Sequence, residues 1–564
     1  MRWILKAKPE SEKLHALQDA LQVEPVVATL LLQRGIETYE EAKVFFRPSL
    51  KHLHDPFLMK DMDKAVARIQ SAIENHENIL VYGDYDVDGT TSVALMSSYL
   101  KTKSDRIATY IPDRYQEGYG VSYAGIDFAH DNNFTLIIAL DCGIKAIDKV
   151  AYAKEKGIDF IICDHHRPSD QLPEAIAILD PKRKDCPYPY EELCGCGVGF
   201  KLIQALAIKG QVHIDHLIKY LDLVATAIAA DIVPITGENR VLAYYGLKVI
   251  NSAPRLGIQA ILQQVKKPEF TINDVVFIIA PRINAAGRMK HGNHAVTLLT
   301  ETDPNLAAEY ATDIEHYNAD RREADKQITA EALQQIEDNN EQERFTTVVY
   351  QSDWHKGVIG IVASRLTETY YRPTLVFTNS GDGVLAASAR SVKGFDVYNA
   401  LEACSQHLIQ FGGHKYAAGL TLKEENYQVF KAAFELEVQH SIEEQLRTPE
   451  VHIDLSIKLS QINAKLWRII KQFEPFGPGN MTPIFMTENL RDKGYGKCVG
   501  DDDKHLRITV IEHGNQLNAI GFNLGHKLSQ VQGGKLFSAA YSIDENHWQG
   551  NVSLQLKLRD IKGQ

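Results

Sequence analysis

Four short segments gather acidic and imidazole side chains at a density that could do chemistry. Gly83-Asp84-Tyr85-Asp86-Val87-Asp88-Gly89-Thr90 holds three carboxylates, and Asp141-Cys142-Gly143 adds a fourth. Asp164-His165-His166 joins a carboxylate to two imidazoles, and Asp231 closes the set. Brought together without counter-charge, these groups would repel and raise one another's pKa. Divalent cations resolve that conflict. Oxygen ligands with one or two imidazoles suit Mn2+ or Mg2+, and the imidazoles tilt the choice toward Mn2+. Two such ions bridged by a shared carboxylate would activate water and clamp the attacking and leaving oxygens of a phosphoryl transfer. A single aspartate after a strand is ordinarily a turn or helix cap. The weight here lies in the recurrence of such clusters at three strand ends.

The elements that must position them are legible as short apolar runs. Ile79-Leu80-Val81-Tyr82, Leu136 to Leu140, Phe160 to Cys163 and Ala175 to Leu179 read as strands of a parallel α/β sheet covered on both faces. Each of the first three is followed at once by an acidic cluster, and Asp231 ends a helical run that begins near Asp222. Ligands of an open parallel sheet bind beyond the carboxyl ends of its strands. No G-x-G-x-x-G accompanies the first loop, so a dinucleotide site is not expected. From 304 to 340 apolar residues recur at helical spacing with no glycine and no proline after Pro304. This predicts one connecting helix of about 50 Å. A second α/β unit follows from about 345 to 440. The last stretch, with runs such as Leu506 to Ile511, reads as a small β-barrel or sandwich.

With 564 residues, 44% hydrophobic and 24% charged, the chain has the balance of a water-soluble multidomain protein. No apolar run reaches the ~20 residues of a membrane span. Seven cysteines without framework spacing fit a reducing, cytoplasmic setting. Cys194 and Cys196 are expected to be buried small residues, since a zinc site would need a second pair. A net charge of −12 argues against a generally basic surface, so any nucleic-acid contact needs a local basic path.

The Asp164-His165-His166 triplet resembles the signature of the DHH phosphoesterase family. Asp84 to Gly89, Asp141 to Gly143 and the segment around Asp231 are similar to that family's other motifs. Trp354 to Arg365 and Gly412 to Gly419 resemble the DHHA1 domain. Pro281 to Met289 and Pro475 to Asn480 resemble segments of the family's single-stranded-DNA exonucleases. The implied arrangement is α/β. An N-terminal segment (1–55) precedes a parallel-sheet DHH domain (56–303) and a long connecting helix (304–340). A smaller α/β DHHA1 domain (341–445) and a C-terminal OB-fold β-barrel (446–564) follow.

Carried over, the resemblance implies that Asp86 and Asp141 hold one metal, with Asp84 close by. Asp88, Asp141, His165 and Asp231 would hold the other. His166 would face the scissile phosphate, and Asp164 would orient the histidines. Ser388, Arg390, Gly413 and His414 offer donors that could cradle a phosphate. Arg282, Asn284 and Arg288, read as a Gly- and Ala-lined loop, would join them. Arg114 and Tyr119 follow another strand on the same edge. They serve equally well as a stacking platform or as a loop whose tyrosines pack on the core. The resemblance implies 5′→3′ degradation of single-stranded DNA to 5′-mononucleotides, two divalent ions (Mn2+ or Mg2+), and a helicase and single-strand-binding protein as partners in recombination and repair. The rivals are a phosphodiesterase of short RNA or cyclic dinucleotides, and a non-catalytic DNA-binding scaffold. The long helix and barrel-like tail speak against the first, and the filled ligand positions against the second.

Overall fold

A computed structural model describes residues 1–265, 267–548 and 551–563. The chain divides into two compact units. The larger comprises Trp3–Gly287, His291–Ala311 and Val451–Gln564, and the smaller Met1–Arg2, Arg288–Lys290 and Thr312–Glu450.

In the larger unit, three short helices, α1 (Ser11–Leu21), α2 (Pro25–Leu32) and α3 (Tyr39–Phe46), precede a five-stranded sheet. Its strands are β1 (Asn78–Gly83), β2 (Ile107–Tyr110), β3 (Phe134–Leu140), β4 (Asp159–Cys163) and β5 (Ala177–Leu179). All pair in parallel in the order β2-β1-β3-β4-β5, with Ile79 opposite both Ile107 and Leu136. Direct pairing of β1 with β3 makes their carboxyl ends the switch point of the sheet, where ligands of such folds bind. The apolar runs Ile79–Tyr82, Leu136–Leu140 and Phe160–Cys163 of the central strands are buried throughout, as strands covered on both faces require. The fourth expected strand is shorter than its sequence run, starting at Ala177.

Helix α4 (Val87–Leu100) springs from the first acidic loop and is buried on almost every side. It packs against α5 (Gly195–Lys209) and α6 (Leu221–Ala230). Then come α7 (Gly237–Ser252) and α8 (Ala280–Met289). The last of these corrects the sequence reading of Pro281–Met289 as a loop. Gly287 is tolerated in this helix because it lies against the first acidic loop, where an added Cβ would meet Tyr85 O at 2.8 Å. Helix α9 (Pro304–Asp338) begins in the larger unit and continues in the smaller.

The smaller unit holds a mixed sheet of β6 (Thr347–Tyr350), β7 (Thr374–Asn379), β8 (Val384–Arg390), β9 (Gln410–His414) and β10 (Ala417–Lys423). Their order is β9-β10-β8-β7-β6, and the β6–β7 pair alone is parallel. Helices α10 (Ile359–Tyr370) and α11 (Tyr427–Ser441) belong to the same unit.

Back in the larger unit, β11 (Leu455–Ser456), β12 (Phe485–Asp492), β13 (Lys497–Val499), β14 (His505–Glu512), β15 (Asn515–Gly521), β16 (Phe537–Trp548) and β17 (Asn551–Gly563) form one sheet. Pairing of Arg491 with Ile511 joins β12 to β14 and closes it into a barrel, which decides between the two sequence readings. The barrel core is continuous with that of α1–α3: Leu17, Val27, Leu31 and Phe45 belong to the same apolar cluster as Phe485, Leu506 and Phe537. No helix among the described residues is long and apolar enough to cross a membrane.

Candidate functional site

The strand-end acids converge. Asp84 follows β1 directly, with Oδ1 accepting from Tyr85 N at 2.7 Å and Oδ2 buried without a partner. Asp86 caps α4, accepting from Gly89 N at 3.0 Å. Asp88, two residues on in the first turn of α4, accepts at 2.7 Å from the backbone N–H groups of both Gly195 and Cys196. Those donors open α5, so two helix N-termini face the carboxylates and offset part of their charge. Asp141 follows β3 at φ +60°, a left-handed conformation an aspartate tolerates better than most residues. His165, at the end of β4, places Nε2 3.2 Å from Asp141 Oδ1, 3.6 Å from Asp231 Oδ2 and 3.7 Å from Asp88 Oδ2.

The electrostatics of the cluster favour binding of positive charge. Burial, compounded by Asp86, holds Asp84 well above the carboxylate range. Burial with Asp88 and Asp86 does the same to Asp141. Asp88 is pushed up to about 7 by burial, against the pull of His165, with Asp231 and Asp86 adding to the rise. Asp231 is raised to about 6 by burial and Asp86. Burial lowers His165 and keeps its imidazole neutral, the form that ligates metal. Asp141 Oδ1 and His165 Nδ1 are buried without a hydrogen bond. Such orphaned atoms are costly in a finished core. Ligand atoms of Asp88, His165 and Asp231 lie within 4.8 Å of one another, as do those of Asp141, His165 and His166. The carboxylates together with the neutral His165 fit divalent Mn2+ or Mg2+.

Asp164 acts differently from the other acids. Its carboxylate accepts from His166 Nδ1 at 2.7 Å and from the backbone N–H groups of Ile144, His165 and His166. Burial would raise it, but the bond to His166 and these amides draw it down to about 2. Burial would lower His166, and the bond and charge of Asp164 reverse this, to about 9. Asp164 thus meets both histidines, gripping the ring of His166 and holding His165 through its backbone N–H. His166 Nε2 lies 3.3 Å from Tyr119 Oη. The Arg114 guanidinium lies 4.1 Å over the Tyr85 ring, which meets Tyr119 edge-on. Tyr119 is half exposed and adjoins the site rather than packing into the core.

The remaining candidates divide between the units. On α8, Arg282 donates to Ile278 O at 2.8 Å, and Asn284 is half-buried. Arg288, in the smaller unit, donates to Gly357 O. In that unit Arg390 donates to Ser388 Oγ at 3.0 Å, and burial pulls it down from the guanidinium range. A Cβ on Gly360, in the first turn of α10, would meet Ser388 Oγ at 2.9 Å and Arg390 Nη2 at 3.0 Å. Hydroxyl, guanidinium and helix N-terminus thus share one spot. Gly413 and His414 lie on β9, opposite Ala418 and Ala417, and both are exposed.

Four contributing residues escaped the sequence reading. The Gly195 and Cys196 amides have no side-chain signature. Tyr85 was visible only as a spacer between acids. Asp180, directly after β5, is buried and lifted by burial to about 7, with Oδ2 unpartnered. The rule that picked out the other acids, a carboxylate at a strand end, would have found it.

Residues 78–228 match the DHH family, N-terminal domain, residues 343–440 the DHHA1 domain, and residues 453–560 the RecJ OB domain. The single-stranded-DNA-specific exonuclease RecJ of Bacillus subtilis (strain 168) is 36% identical, over 99% of this chain and 70% of its own length. That of Haemophilus influenzae is 33% identical, over 95% of this chain and 96% of its own. The crystal structure of RecJ in complex with Mn2+ from Thermus thermophilus superposes with a TM-score of 0.85 at 25% identity, covering 100% of this chain and 79% of that one.

Proposed function

The chain belongs to the RecJ family of single-stranded-DNA-specific exonucleases, and from that premise we propose that it hydrolyses single-stranded DNA from the 5′ end to 5′-mononucleotides with two divalent ions. The observation that carries the ion requirement is the buried cluster of raised carboxyls around His165 with unpartnered ligand atoms. Asp86 and Asp141, with Asp84 beside them, would hold one ion. Asp88, Asp141, His165 and Asp231 would hold the other. When bound, the ions supply Lewis acidity toward water and the scissile phosphate.

The chain's own residues do the rest. The α5 amides fix both oxygens of Asp88, so its orientation does not depend on substrate. His166, kept protonated by Asp164, is a poor metal ligand and a good hydrogen-bond donor. Its Nε2 proton is suited to a phosphate oxygen on which negative charge grows. Ser388, Arg390 and the α10 N-terminus, with Gly413 and His414, are assigned to the terminal 5′-phosphate. Arg114 and Tyr119, with Arg282, Asn284 and Arg288, are assigned to the strand itself. Cytoplasmic repair work beside a helicase and a single-strand-binding protein completes this reading.

A 5′-phosphorylated single strand labelled separately at each end tests it, with Mn2+, with Mg2+ and with chelator. The 5′ label is expected first, as mononucleotide, and to disappear on chelation. Release from the 3′ end would refute the polarity, and chelator-resistant cleavage the ion requirement.

A further inference from the structure

The acid–histidine cluster is sealed on most sides. The side chains of Asp88, Asp141, Asp164 and His165 are at most 7% exposed, whereas those of Asp231 and His166 are each 34% exposed. The opening therefore lies at Asp231 and His166. Tyr119 stands at the His166 side. Next in the chain to Asp231 is Ile232, an aliphatic residue 66% exposed to solvent.

Its backbone is the unexpected part. Asp231 is the C-cap of α6, and Ile232 follows it at φ +60°. That is the position after a helix end where glycine or asparagine normally supplies the left-handed residue. Branching at Cβ makes this conformation costly. Among the described residues Ile232 is the one β-branched side chain at positive φ; the others there are Asp, Asn, Gln, His and Tyr. Burial does not offset the strain, because the side chain projects into water while the neighbouring Val233 and Ile235 fill the core. Strain that the surrounding fold does not repay is a mark of functional sites.

We infer that Ile232 is a specificity-determining contact, an apolar wall at the Asp231 side of the opening that packs against the nucleoside of the bound strand. The inference rests on the proposed nuclease reading. A nucleoside presents a sugar edge and a base face that benefit from an aliphatic neighbour, whereas a bare phosphate does not. With Tyr119 across the opening, the two side chains would bracket the nucleoside and leave its phosphate to the acids and His166.

Ile232→Gly removes the contact and the strain together, so binding and stability move in opposite directions. The KM for single-stranded DNA is expected to rise about tenfold, the effect of withdrawing most of one aliphatic side chain from a contact. The unfolding temperature is expected to be no lower than that of the parent protein. Ile232→Leu, which restores an apolar wall, is expected to recover the KM. The Mn2+ concentration giving half-maximal activity is expected to stay within twofold, which separates this role from any displacement of Asp231. An unchanged KM in Ile232→Gly, or a loss confined to kcat, would overturn the inference. So would a rise in KM that appears only with a raised Mn2+ requirement. If the parent protein shows no chelator-sensitive nuclease activity, the functional reading fails instead.

Discussion

His165 and His166 are adjacent in the chain and have opposite proton affinities. Burial drives His165 down, toward the neutral form a metal needs. The bond from Nδ1 to Asp164 carries His166 up to about 9 despite burial. One imidazole is thereby prepared as a ligand and the other as a donor, and one carboxylate makes the difference. Asp164→Asn keeps a hydrogen-bond acceptor but removes the charge that holds the proton. A raised pKa means that the protonated form persists up to that value and is lost above it. The alkaline limb of kcat/KM is therefore expected above the ordinary imidazole value of about 6.5 in the parent and to move down in Asp164→Asn. A pH–rate profile measures both. An unmoved limb would mean that His166 does not act through its proton.

Helix N-termini, more than any single side chain, organise the acids. Asp86 caps α4, and the first amides of α5 hold both oxygens of Asp88. Gly195 also lies so close to Asp141 that a Cβ there would meet its Cβ and Oδ1 at 2.6 Å. Gly195→Ala must push Asp141 aside while disturbing the amides that face Asp88. The Mn2+ concentration for half-maximal activity is expected to rise about tenfold or more, as when the outer partners of metal ligands are altered. Titration calorimetry of the metal-free protein checks it, and an unchanged affinity would show that α5 does not set the ligand geometry. This element shows where sequence reading stops. Strands and their terminal acids were legible because apolar runs and carboxylates are properties of residue type. The α5 amides were not, because every residue but proline carries one. Helix α8 was missed for a related reason: its glycine and alanines read as the lining of a loop, and the contact with Tyr85 that makes Gly287 useful there is tertiary.

At the scale of the molecule, the barrel and the N-terminal helices share one apolar core, although about 400 residues separate them in sequence. Arg240 ties that core to α7, the helix that packs on α6. Its guanidinium donates to Phe45 O at 3.0 Å, Phe473 O at 2.8 Å and Glu474 O at 3.0 Å, with longer bonds to Gln472 O and Pro475 O. It also lies 3.9 Å over the Phe45 ring. Burial pulls it down to about 9, so it remains charged at neutral pH and the carbonyl dipoles supply its counter-field. No sequence pattern announces such a staple, because its acceptors are backbone atoms from two distant segments. Arg240 is also linked along the chain to the site, since α7 begins six residues after Asp231. Arg240→Met preserves much of the volume and the contact with Phe45 but leaves the carbonyls without their donor. Several buried acceptors losing a charged partner should cost about 3 kcal/mol. Urea unfolding followed by tryptophan fluorescence is expected to show a lower midpoint. Trp467 packs against the shared core and Trp3 against Val451, Ile453 and Ala540, so their emission reports the barrel and its helices. A midpoint equal to the parent's would mean that the shared apolar core alone holds them together and that Arg240 adds specificity without stability.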